Sequence, residues 1–292
     1  MRSSQHGRER THYTRGHMPA PLPLEIDEAV SRWMQALEAR HLRDLTFQEV
    51  SGALRALSSC YVERRGRLPS GAALEGRGKR AAFALFYAPI HFLLTSHVVS
   101  ALGLGLAPGT TIVDAGCGTG AAGAAWALGA GGTASVLGVD RSGWAAAEAA
   151  WTWRTLRVRG RAVQGDVAAL RPPRGSHAWL AAFVANELPP GTRGRLLERL
   201  LASAREGRAV LVLEPLAKAV APWWDEWVEA FAAEGGEARE WRTATRLPDL
   251  VARLDRAAGL DHRELTARSI HIGALTPAGV LPRSAPRRRR PS

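Results

Sequence analysis

Residues 110–120 constrain the fold of this chain more than any other segment. The segment opens with a short apolar run, residues 111–113, and passes into a turn in which every second residue from 116 to 120 is glycine. An alanine-rich apolar run, residues 121–128, follows at once and predicts a helix. Strand, glycine turn and helix form the first half of a nucleotide-binding βαβ unit, because a backbone without Cβ atoms turns tightly and approaches a ligand closely.

Two cofactors fit this turn. Residues 118–123 match the GxGxxG dinucleotide fingerprint, and Asp140 follows at the spacing of a ribose-binding acid. The longer pattern over residues 114–120, D-x-G-x-G-x-G, resembles the first motif of the class I S-adenosylmethionine (SAM) methyltransferases. The carboxylate of Asp114 suits a ligand with an ammonium group, and it would repel a pyrophosphate at the helix N-terminus. We therefore favour SAM over NAD as the cofactor.

The rest of the chain predicts the domain organisation. Apolar strands at residues 134–139, 161–167, 179–185 and 208–213 alternate with helix-length segments. This alternation predicts an α/β fold with a doubly wound, mostly parallel Rossmann-like sheet that is covered on both faces. Helices are also expected at 221–232 and 247–258, and a final strand pair at 262–271. We assign residues 1–23 to a disordered basic tail, 24–106 to a helical N-terminal domain, 107–276 to the SAM-binding core and 277–292 to a second basic tail.

The predicted helical domain carries two features with structural consequences. Thr46 and Glu49 form a capping box at the start of a helix. The apolar run over residues 81–94 is interrupted by Pro89 and His91, so we expect a helix break near Pro89 and no membrane span. We interpret His91 and His97 as partly buried, hydrogen-bonded side chains and expect no metal site, since six residues separate them on a helix.

Polar residues end five successive predicted strands: Asp114, Asp140, Asp166, Asn186 and Glu214. In a doubly wound sheet, ligands bind outside the carboxyl ends of the strands. The resemblance to class I methyltransferases implies a role for most of them. Asp140 would bind the ribose hydroxyls, Asp166 the adenine amino group with Val167 beside the ring, and Asp114 the ammonium group. Gly116, Cys117, Gly118 and Gly120 would pass along the methionyl moiety.

Asn186 and Glu187 follow the fourth strand, where such enzymes face the methyl group, so we predict that they act in catalysis and that Asn186 also contacts the cofactor. Methyl transfer needs an in-line nucleophile about 3 Å away, and it needs a base only if the acceptor loses a proton. The segment Asn-Glu-Leu-Pro departs from the Asn-Pro-Pro-aromatic motif of amino-group methyltransferases, which leaves the acceptor atom open. Cys117 is interpreted as a small filler and not as a nucleophile.

A narrower resemblance spans more of the chain. The motifs Gly-Lys-Arg at 78–80, Phe-Tyr-Ala-Pro at 86–89, Asn-Glu-Leu at 186–188 and Leu-Glu-Pro at 213–215 occur in this order. That order resembles the methyltransferase-like proteins associated with the small ribosomal subunit in mitochondria, and their bacterial relatives. The resemblance implies RNA or the small subunit as partner. Mitochondrial members hold an iron–sulfur cluster with a set of cysteines, whereas this chain has two cysteines, far apart.

Charge points toward a polyanion. The net charge is +12, with four arginines and one glutamate in residues 1–20 and five arginines in residues 283–292. Such tails are either solvated ends or arms for nucleic acid, and composition leaves both readings open. We predict that Arg287–Arg290, with Arg77, Lys79 and Arg80, contact RNA phosphates. An RNA methyltransferase ranks first; a SAM-binding assembly factor and a small-molecule methyltransferase are the alternatives. The low cysteine content predicts a cytoplasmic location.

Overall fold

A computed structural model describes residues 24–62, 74–217, 221–244 and 246–273. Both predicted basic tails, including Arg287–Arg290, lie outside the described residues. The helices are α1 (Leu24–His41), α2 (Phe47–Val62), α3 (Arg77–Ala82), α4 (Ala88–Leu102), α5 (Ala121–Gly129), α6 (Gly143–Thr155), α7 (Pro190–Arg205), α8 (Trp224–Ala232) and α9 (Asp249–Ala257). The strands are β1 (Thr111–Ala115), β2 (Ser135–Asp140), β3 (Arg159–Gln164), β4 (His177–Ala182), β5 (Val210–Glu214), β6 (Glu237–Thr243) and β7 (Leu265–Ile272).

The seven strands form one sheet in the order β3-β2-β1-β4-β5-β7-β6. Strands β1 to β5 are parallel, whereas β7 runs antiparallel between β5 and β6. The order reverses between β1 and β4, which is the switch point where doubly wound sheets bind their ligands. The predicted mostly parallel Rossmann-like α/β fold is therefore confirmed, and the carboxyl ends of β1, β2 and β4 meet at one edge.

Two strand predictions were wrong. The segment 262–271 was expected to form a strand pair, but it contributes the single strand β7, which pairs with β6. Strand β6 was not predicted because four of its seven residues are charged and only Trp241 and Thr243 are buried. Strand β3 ends at Gln164, two residues before Asp166, and most of its residues are exposed. The expectation that both faces of the sheet are covered therefore fails at this edge.

The helix break predicted near Pro89 does not occur. Helices α3 and α4 are joined through a π-helical turn, Phe83–Tyr87, into one continuous helix, Arg77–Leu102. The amide of Ala88 bonds to the Phe83 carbonyl, five residues back. This wider turn relieves the clash that a proline ring makes with the carbonyl four residues before it. The helix is long and apolar enough to cross a membrane, but 72% of its apolar window is buried inside the protein.

The N-terminal helices and one face of the sheet share a single apolar cluster. Trp33 of α1, Leu54 of α2 and Phe86 of the π turn lie in the same cluster as Trp126 of α5 and Trp153 of α6. A second cluster covers the opposite face beneath α7 and α8. The predicted domain boundary at residue 106 remains a prediction. Because the N-terminal helices share this core with the sheet, α3 and α4 are held beside the edge of the sheet.

Local sequence signals set several helix starts. Thr46 Oγ1 accepts from the amide of Glu49 at 3.2 Å, and Glu49 Oε2 accepts from the amide of Thr46 at 2.7 Å, so the predicted capping box forms. Ser142 caps α6 by accepting from the amide of Ala145 at 3.3 Å. This cap fixes the start of the helix that follows Asp140, directly below the ligand edge of the sheet.

Candidate active site

A cavity of about 800 Å³ opens at the carboxyl ends of β1, β2 and β4. Its floor is the turn after β1, and one wall is the helix that spans residues 77–102. Nine of the predicted site residues line this cavity: Asp114, Gly116, Cys117, Gly118, Asp140, Asp166, Val167, Asn186 and Glu187. Residues from four separate strand ends and from the N-terminal helices therefore converge on one chamber.

The turn after β1 requires glycine for two different reasons. Gly116 has φ +70°, and a Cβ added there would lie 2.1 Å from Cγ2 of Val184. Gly118 has φ +51°, and its added Cβ would have no neighbour closer than the Phe83 ring, at 3.7 Å. Gly116 is thus closed in by the β4 loop, whereas Gly118 presents bare backbone to the cavity. Bare backbone at this point allows a ligand to lie directly against the turn.

Gly120 was predicted to contact the cofactor, and the structure places it against Trp153 and not on the cavity wall. The indole Nε1 of Trp153 donates to the Gly120 carbonyl at 2.8 Å, and a Cβ at Gly120 would lie 2.6 Å from that nitrogen. Trp153 therefore ties α6 to the turn. Sequence analysis missed it because Trp153 and Gly120 lie 33 residues apart in the chain and meet only in the folded structure.

Asp140 joins the end of β2 to the glycine turn. Its Oδ2 accepts from the amide of Gly118 at 3.0 Å, and its Oδ1 accepts from the amide of Ser142 at 2.8 Å. Burial raises the pKa of this carboxyl, and the two amide bonds partly oppose the rise. Each carboxylate oxygen keeps a second lone pair, so both can still accept from a pair of hydroxyl groups in the cavity.

Asp114 lies deeper, with 1% of its surface exposed. Its Oδ2 has no hydrogen-bond partner within the described chain. Burial and the nearby charge of Asp140 raise its pKa to about 7, and the adjacent amide of Gly123 opposes the rise. A buried carboxylate oxygen without a partner is costly unless a charge or a donor reaches it. Asp114 lines the floor of the cavity, so a cationic group bound there would lie near its carboxyl group, while Oδ2 itself faces Gly123 of α5.

Cys117 is buried between these two carboxylates. Burial raises the pKa of its thiol well above the usual range, and the charges of Asp114 and Asp140 add to the rise. Its Sγ also fills the space beside Gly138, where an added Cβ would lie 2.7 Å away. A thiol held protonated and packed against backbone is poorly suited to nucleophilic attack.

Asp166 and Val167 follow β3 at the cavity rim. Asp166 is exposed, and its Oδ1 accepts from the amide of Ala168 at 2.7 Å, which caps a short 3₁₀ helix. This bond occupies one oxygen, and the other carboxylate oxygen remains available at the rim. Val167 is 6% exposed and contributes an apolar surface beside it. An acceptor next to an apolar face suits the amino edge and the ring of a purine.

Glu214 is the one strand-end residue of the series that does not line the cavity. It is fully buried at the end of β5, and its carboxylate accepts from the amides of Ala185 at 2.8 Å and Asn186 at 3.3 Å. Its Oε2 also accepts from Nδ2 of Asn186 at 2.5 Å. Burial raises the pKa of Glu214 to about 7, against the effect of these three donors. Glu214 therefore positions Asn186, which lies on the cavity wall beside Glu187.

Aromatic side chains from the helix over residues 77–102 and from the end of β4 form another wall of the cavity. His91 stacks on Phe183, with ring centroids 4.1 Å apart and planes 15° apart, and Phe83 contacts His91 edge-on at 6.1 Å. Burial lowers the pKa of His91 to about 4, so its ring is neutral at neutral pH. Phe183 has φ +59°, a strained conformation for a residue of this size. No sequence signal marks Phe183, because the strain and the stacking depend on a helix that lies about 90 residues away in the chain.

The three basic residues at the start of α3 have separate environments. Arg77 forms an exposed ion pair with Asp44, at 3.2 Å between Nη2 and Oδ2. Arg80 lines the cavity, donates from Nε to the carbonyl of Leu74 at 3.0 Å and lies over the Trp144 ring. Lys79 does not line the cavity. Only Arg80 of this cluster lies beside the strand-end carboxylates. Across the described ranges, no group of three or more His, Cys, Asp or Glu side chains could hold a metal ion.

The fold and the cavity together define a class of protein. A doubly wound sheet with a glycine turn after β1 and acids after β1 and β2 is an enzyme core that binds a nucleoside-containing cofactor. Residues 112–207, about a third of the chain, match the model of the methyltransferase domain family. The chain therefore contains a methyltransferase domain of the class I SAM-dependent type, so it is a methyltransferase and its cofactor is SAM. The preference for SAM over NAD is thereby confirmed.

Solved structures with a similar fold include the mitomycin 7-O-methyltransferase MmcR, with 15% identity and a TM-score of 0.48 over 87% of this chain and 74% of that one. A SAM-dependent methyltransferase from Geobacter sulfurreducens, with S-adenosylhomocysteine bound, has 18% identity and a TM-score of 0.42 over 72% and 97%. An rRNA methylase from Streptococcus thermophilus has 14% identity and a TM-score of 0.40 over 61% and 95%. None of the curated protein sequences shows significant similarity to the chain.

Proposed function

We propose that this protein transfers the methyl group of SAM to RNA. The observation that carries the proposal is the aromatic wall formed by Phe83, His91 and Phe183, which lines the same cavity as the glycine turn. A nucleobase is flat, and enzymes that act on bases hold them against aromatic or apolar side chains. The net charge of +12 supports the same acceptor, because a polyanionic substrate gains affinity from a basic protein.

The residues of the cavity fit the cofactor. The negative charge of Asp114 on the cavity floor suits its ammonium group, and both oxygens of Asp140 suit its ribose hydroxyls. Asp166 and Val167 suit the adenine amino edge and ring, while Gly116 and Gly118 pass along the methionyl part. Arg80 supplies a guanidinium for a carboxylate group. When bound, the cofactor supplies an electrophilic methyl group on a sulfonium.

The chemistry left to the protein is positioning, and here Asn186 and Glu187 have the central roles. Glu214 fixes the amide of Asn186, so the amide carbonyl of Asn186 is free to accept from an amino or hydroxyl group of the acceptor. Glu187 lies next to it on the cavity wall and would receive a proton if the acceptor releases one. Cys117, with its raised pKa, takes no part in a covalent step.

Two finer statements belong to the same proposal. The order of the motifs at 78–80, 86–89, 186–188 and 213–215 favours RNA of the small ribosomal subunit as the substrate, and the two cysteines favour a cytoplasmic location. The basic tails would increase RNA affinity through additional phosphate contacts. The role of the tails stays a prediction, because they lie outside the described residues.

The proposal is tested by incubating the full chain with SAM that carries a labelled methyl group and with separated RNA, protein and small-metabolite fractions. Label in the RNA fraction is the expected result. Asp140→Asn should abolish the label, while the exposed Asp261→Asn should leave it unchanged. Label in the metabolite fraction would identify a small-molecule methyltransferase instead. Binding of SAM with label in none of the fractions would favour an assembly factor without catalytic activity.

A further inference from the structure

At the β2–β3 edge, one face of the sheet is not covered by a helix. The connections after β1, β2 and β4 contain the helices α5, α6 and α7, but the connection from β3 to β4 contains only the short 3₁₀ turn Val167–Ala169. Residues 135, 137 and 139 of β2 pair with residues 159, 161 and 163 of β3, so these side chains share a face. A shallow groove of about 290 Å³ crosses this face and is lined by Leu137, Arg161 and Pro173.

Arginines surround this uncovered face. We define the arginine face as Arg159 and Arg161 of β3 together with Arg171 and Arg174, which flank Pro173 in the connection to β4. All four are exposed. None of them belongs to an ion pair with an acidic residue in the described parts of the chain, whereas Arg40, Arg77, Arg205 and Arg239 all do. From residue 157 to residue 176 there are five arginines and one acid, Asp166.

The connection that carries two of these arginines is fixed at both ends. The guanidinium of Arg199 on α7 donates to the carbonyl of Leu170, and Nη1 of Arg208 donates to the carbonyl of Gly175 at 2.9 Å. The amide of Thr111 also donates to the carbonyl of Ser176 at 3.1 Å. Arg171 and Arg174 are therefore held beside β3 on an anchored segment, which lowers the entropy lost when they bind a partner.

The side chains of the arginine face indicate which kind of ligand it binds. Arginine pairs bidentately with phosphate oxygens, and a row of arginines without acidic partners attracts a chain of phosphates through the release of its counterions. A membrane surface would also require apolar anchors. The only large exposed apolar side chains in the described residues are Leu24 and Val163, and Val163 is only 37% exposed. The face is therefore suited to the backbone of a nucleic acid.

We propose that the arginine face binds the phosphate backbone of the RNA substrate and leads it to the active site. Strand β3 runs from Arg159 directly to Gly165 and Asp166 at the cavity rim, so RNA held along the strand has its next nucleotides at the cavity. The inference rests on the proposed function in that it names RNA as the ligand. It adds a binding surface that neither the catalytic residues nor the tails supply.

The test is the affinity of the full chain for a fluorescent single-stranded RNA of about 20 nucleotides, measured by anisotropy across a salt series. The variant carries Arg159→Gln, Arg161→Gln and Arg171→Gln. The matched control loses the same charge elsewhere, through Arg55→Gln, Arg242→Gln and Arg256→Gln, all at exposed positions outside the face. A second variant replaces the same three face arginines by lysine. Titration with SAM verifies that each variant retains a folded cofactor site.

If the face contacts three phosphates, the glutamine variant should bind RNA at least about tenfold more weakly at low salt, and its log–log salt slope should fall by about 2. The control should keep the slope, and the lysine variant should restore it. Equal losses of RNA affinity in the glutamine variant and in the control would overturn the proposal, because they would show that only the net charge of the protein matters. Loss of binding to anionic lipid vesicles, with RNA binding intact, would overturn it in favour of a membrane.

The test of the arginine face and the test of the proposed methyltransferase activity can fail independently of each other. Suppose that methyl label appears in RNA and that the glutamine variant binds RNA as tightly as the wild type. The proposed role of the arginine face would then be wrong, whereas the proposed RNA methyltransferase activity would be supported. If that variant instead loses RNA affinity but no methyl label appears in RNA, the RNA-binding role of the arginine face would be supported and the methyltransferase activity on RNA would not.

Discussion

Glu214 and Asn186 lie 28 residues apart in the chain, and the side-chain amide of Asn186 donates to Oε2 of Glu214 at 2.5 Å. A carboxylate buried behind the active site thus fixes a residue on its wall. Glu214 also accepts from two backbone amides of the same short turn, so one side chain determines the conformation of the segment that faces the acceptor. This relationship gives Glu214 a positioning role.

Replacing Glu214 should therefore change catalysis more than cofactor binding. In Glu214→Ala the amides of residues 185 and 186 lose their acceptor, and each unsatisfied buried donor costs roughly 1–3 kcal/mol. We expect kcat to fall, with the Kd for SAM nearly unchanged, because Asp140 and the glycine turn remain intact. Combining this change with Asn186→Ala should add little to the loss of kcat, since the two side chains act as one unit. Additive losses would contradict the positioning role.

Two buried acidic residues with raised pKa values should make the free energy of unfolding depend on pH. Asp114 and Glu214 have ordinary pKa values of 3.8 and 4.5, and both are raised to about 7 in the folded chain. The folded state therefore binds these protons more tightly than the unfolded state does. The stability contributed by the two groups is complete below their unfolded values and is lost as the pH rises toward 7.

The measurement is urea unfolding of the wild type and of the double variant Asp114→Asn, Glu214→Gln across this pH range. The free energy of unfolding of the wild type should fall relative to that of the variant between pH 4.5 and 7. Other groups titrate in both proteins, so the difference between the two curves isolates the pair. Parallel curves would show that neither group titrates in this range.

Cofactor affinity should depend on Asp140, which accepts from the amides of Gly118 and Ser142 and is proposed to accept from the ribose hydroxyls. In Asp140→Asn, one acceptor oxygen becomes an amino group, which cannot accept from Gly118, Ser142 or a ribose hydroxyl. We expect the Kd for SAM and S-adenosylhomocysteine to rise by about 10- to 100-fold, which corresponds to roughly 1–3 kcal/mol. Calorimetric titration gives the values. Asp261→Asn, at an exposed ion pair, is the control, and an equal loss there would contradict the assignment.

The turn after β1 permits a test of backbone strain against steric contact. Gly116 and Gly131 have nearly the same φ, +70° and +77°, but only a Cβ at Gly116 meets another atom. Gly131→Ala should cost about 1–2 kcal/mol of unfolding free energy from the left-handed conformation alone. Gly116→Ala should cost about 1–3 kcal/mol more, because its Cβ overlaps Val184.

Adding Val184→Ala to Gly116→Ala should recover part of this additional cost, since it removes the overlapping methyl groups. Unfolding in urea gives the free energies for the single and double variants. The absence of any coupling between positions 116 and 184 would contradict the contact.

The attachment of the N-terminal helices depends on a buried carboxylate. Glu148 of α6 accepts from Nη2 of Arg40 at 3.1 Å and lies 2.8 Å from Nε2 of His41, both at the end of α1. Burial raises the pKa of Glu148, but the bonds and charges of His41 and Arg40 outweigh burial and lower it overall. The stability that this group contributes is therefore present above its unfolded pKa and is lost as the pH falls through its folded pKa.

Glu148→Gln should lower the free energy of unfolding by about 1–3 kcal/mol, a value discounted because the Arg40 side chain is 45% exposed. The matched control is Glu28→Gln, which breaks an exposed pair with Arg32 and should cost less than about 0.5 kcal/mol. Equal effects of the two changes would contradict a structural role for the buried cluster.

Local sequence signals determined much of the site. Gly116, Gly118 and the strand-end residues Asp114, Asp140 and Asn186 all line the same cavity, because the carboxyl ends of parallel strands meet at one edge. The capping box at Thr46 and the cap at Ser142 also formed, since each depends on residues within one turn of helix. These features follow from short spacings, which a linear sequence records directly.

What the sequence did not reveal depends on contacts between distant segments. The exposed strand β3, the polar rim strand β6 and the unbroken helix through Pro89 all depart from local propensity, and in each case a neighbouring element decides the outcome. Trp153 under the glycine turn, Phe183 stacked on His91 and Glu214 behind Asn186 became site residues only through folding. The sequence determined the sheet, the turn and the cofactor class by itself, because patterns of hydrophobicity and glycine are local. The tertiary structure alone decided how the acceptor wall is held and which arginines remain unpaired, because burial and pairing are properties of the whole packed chain.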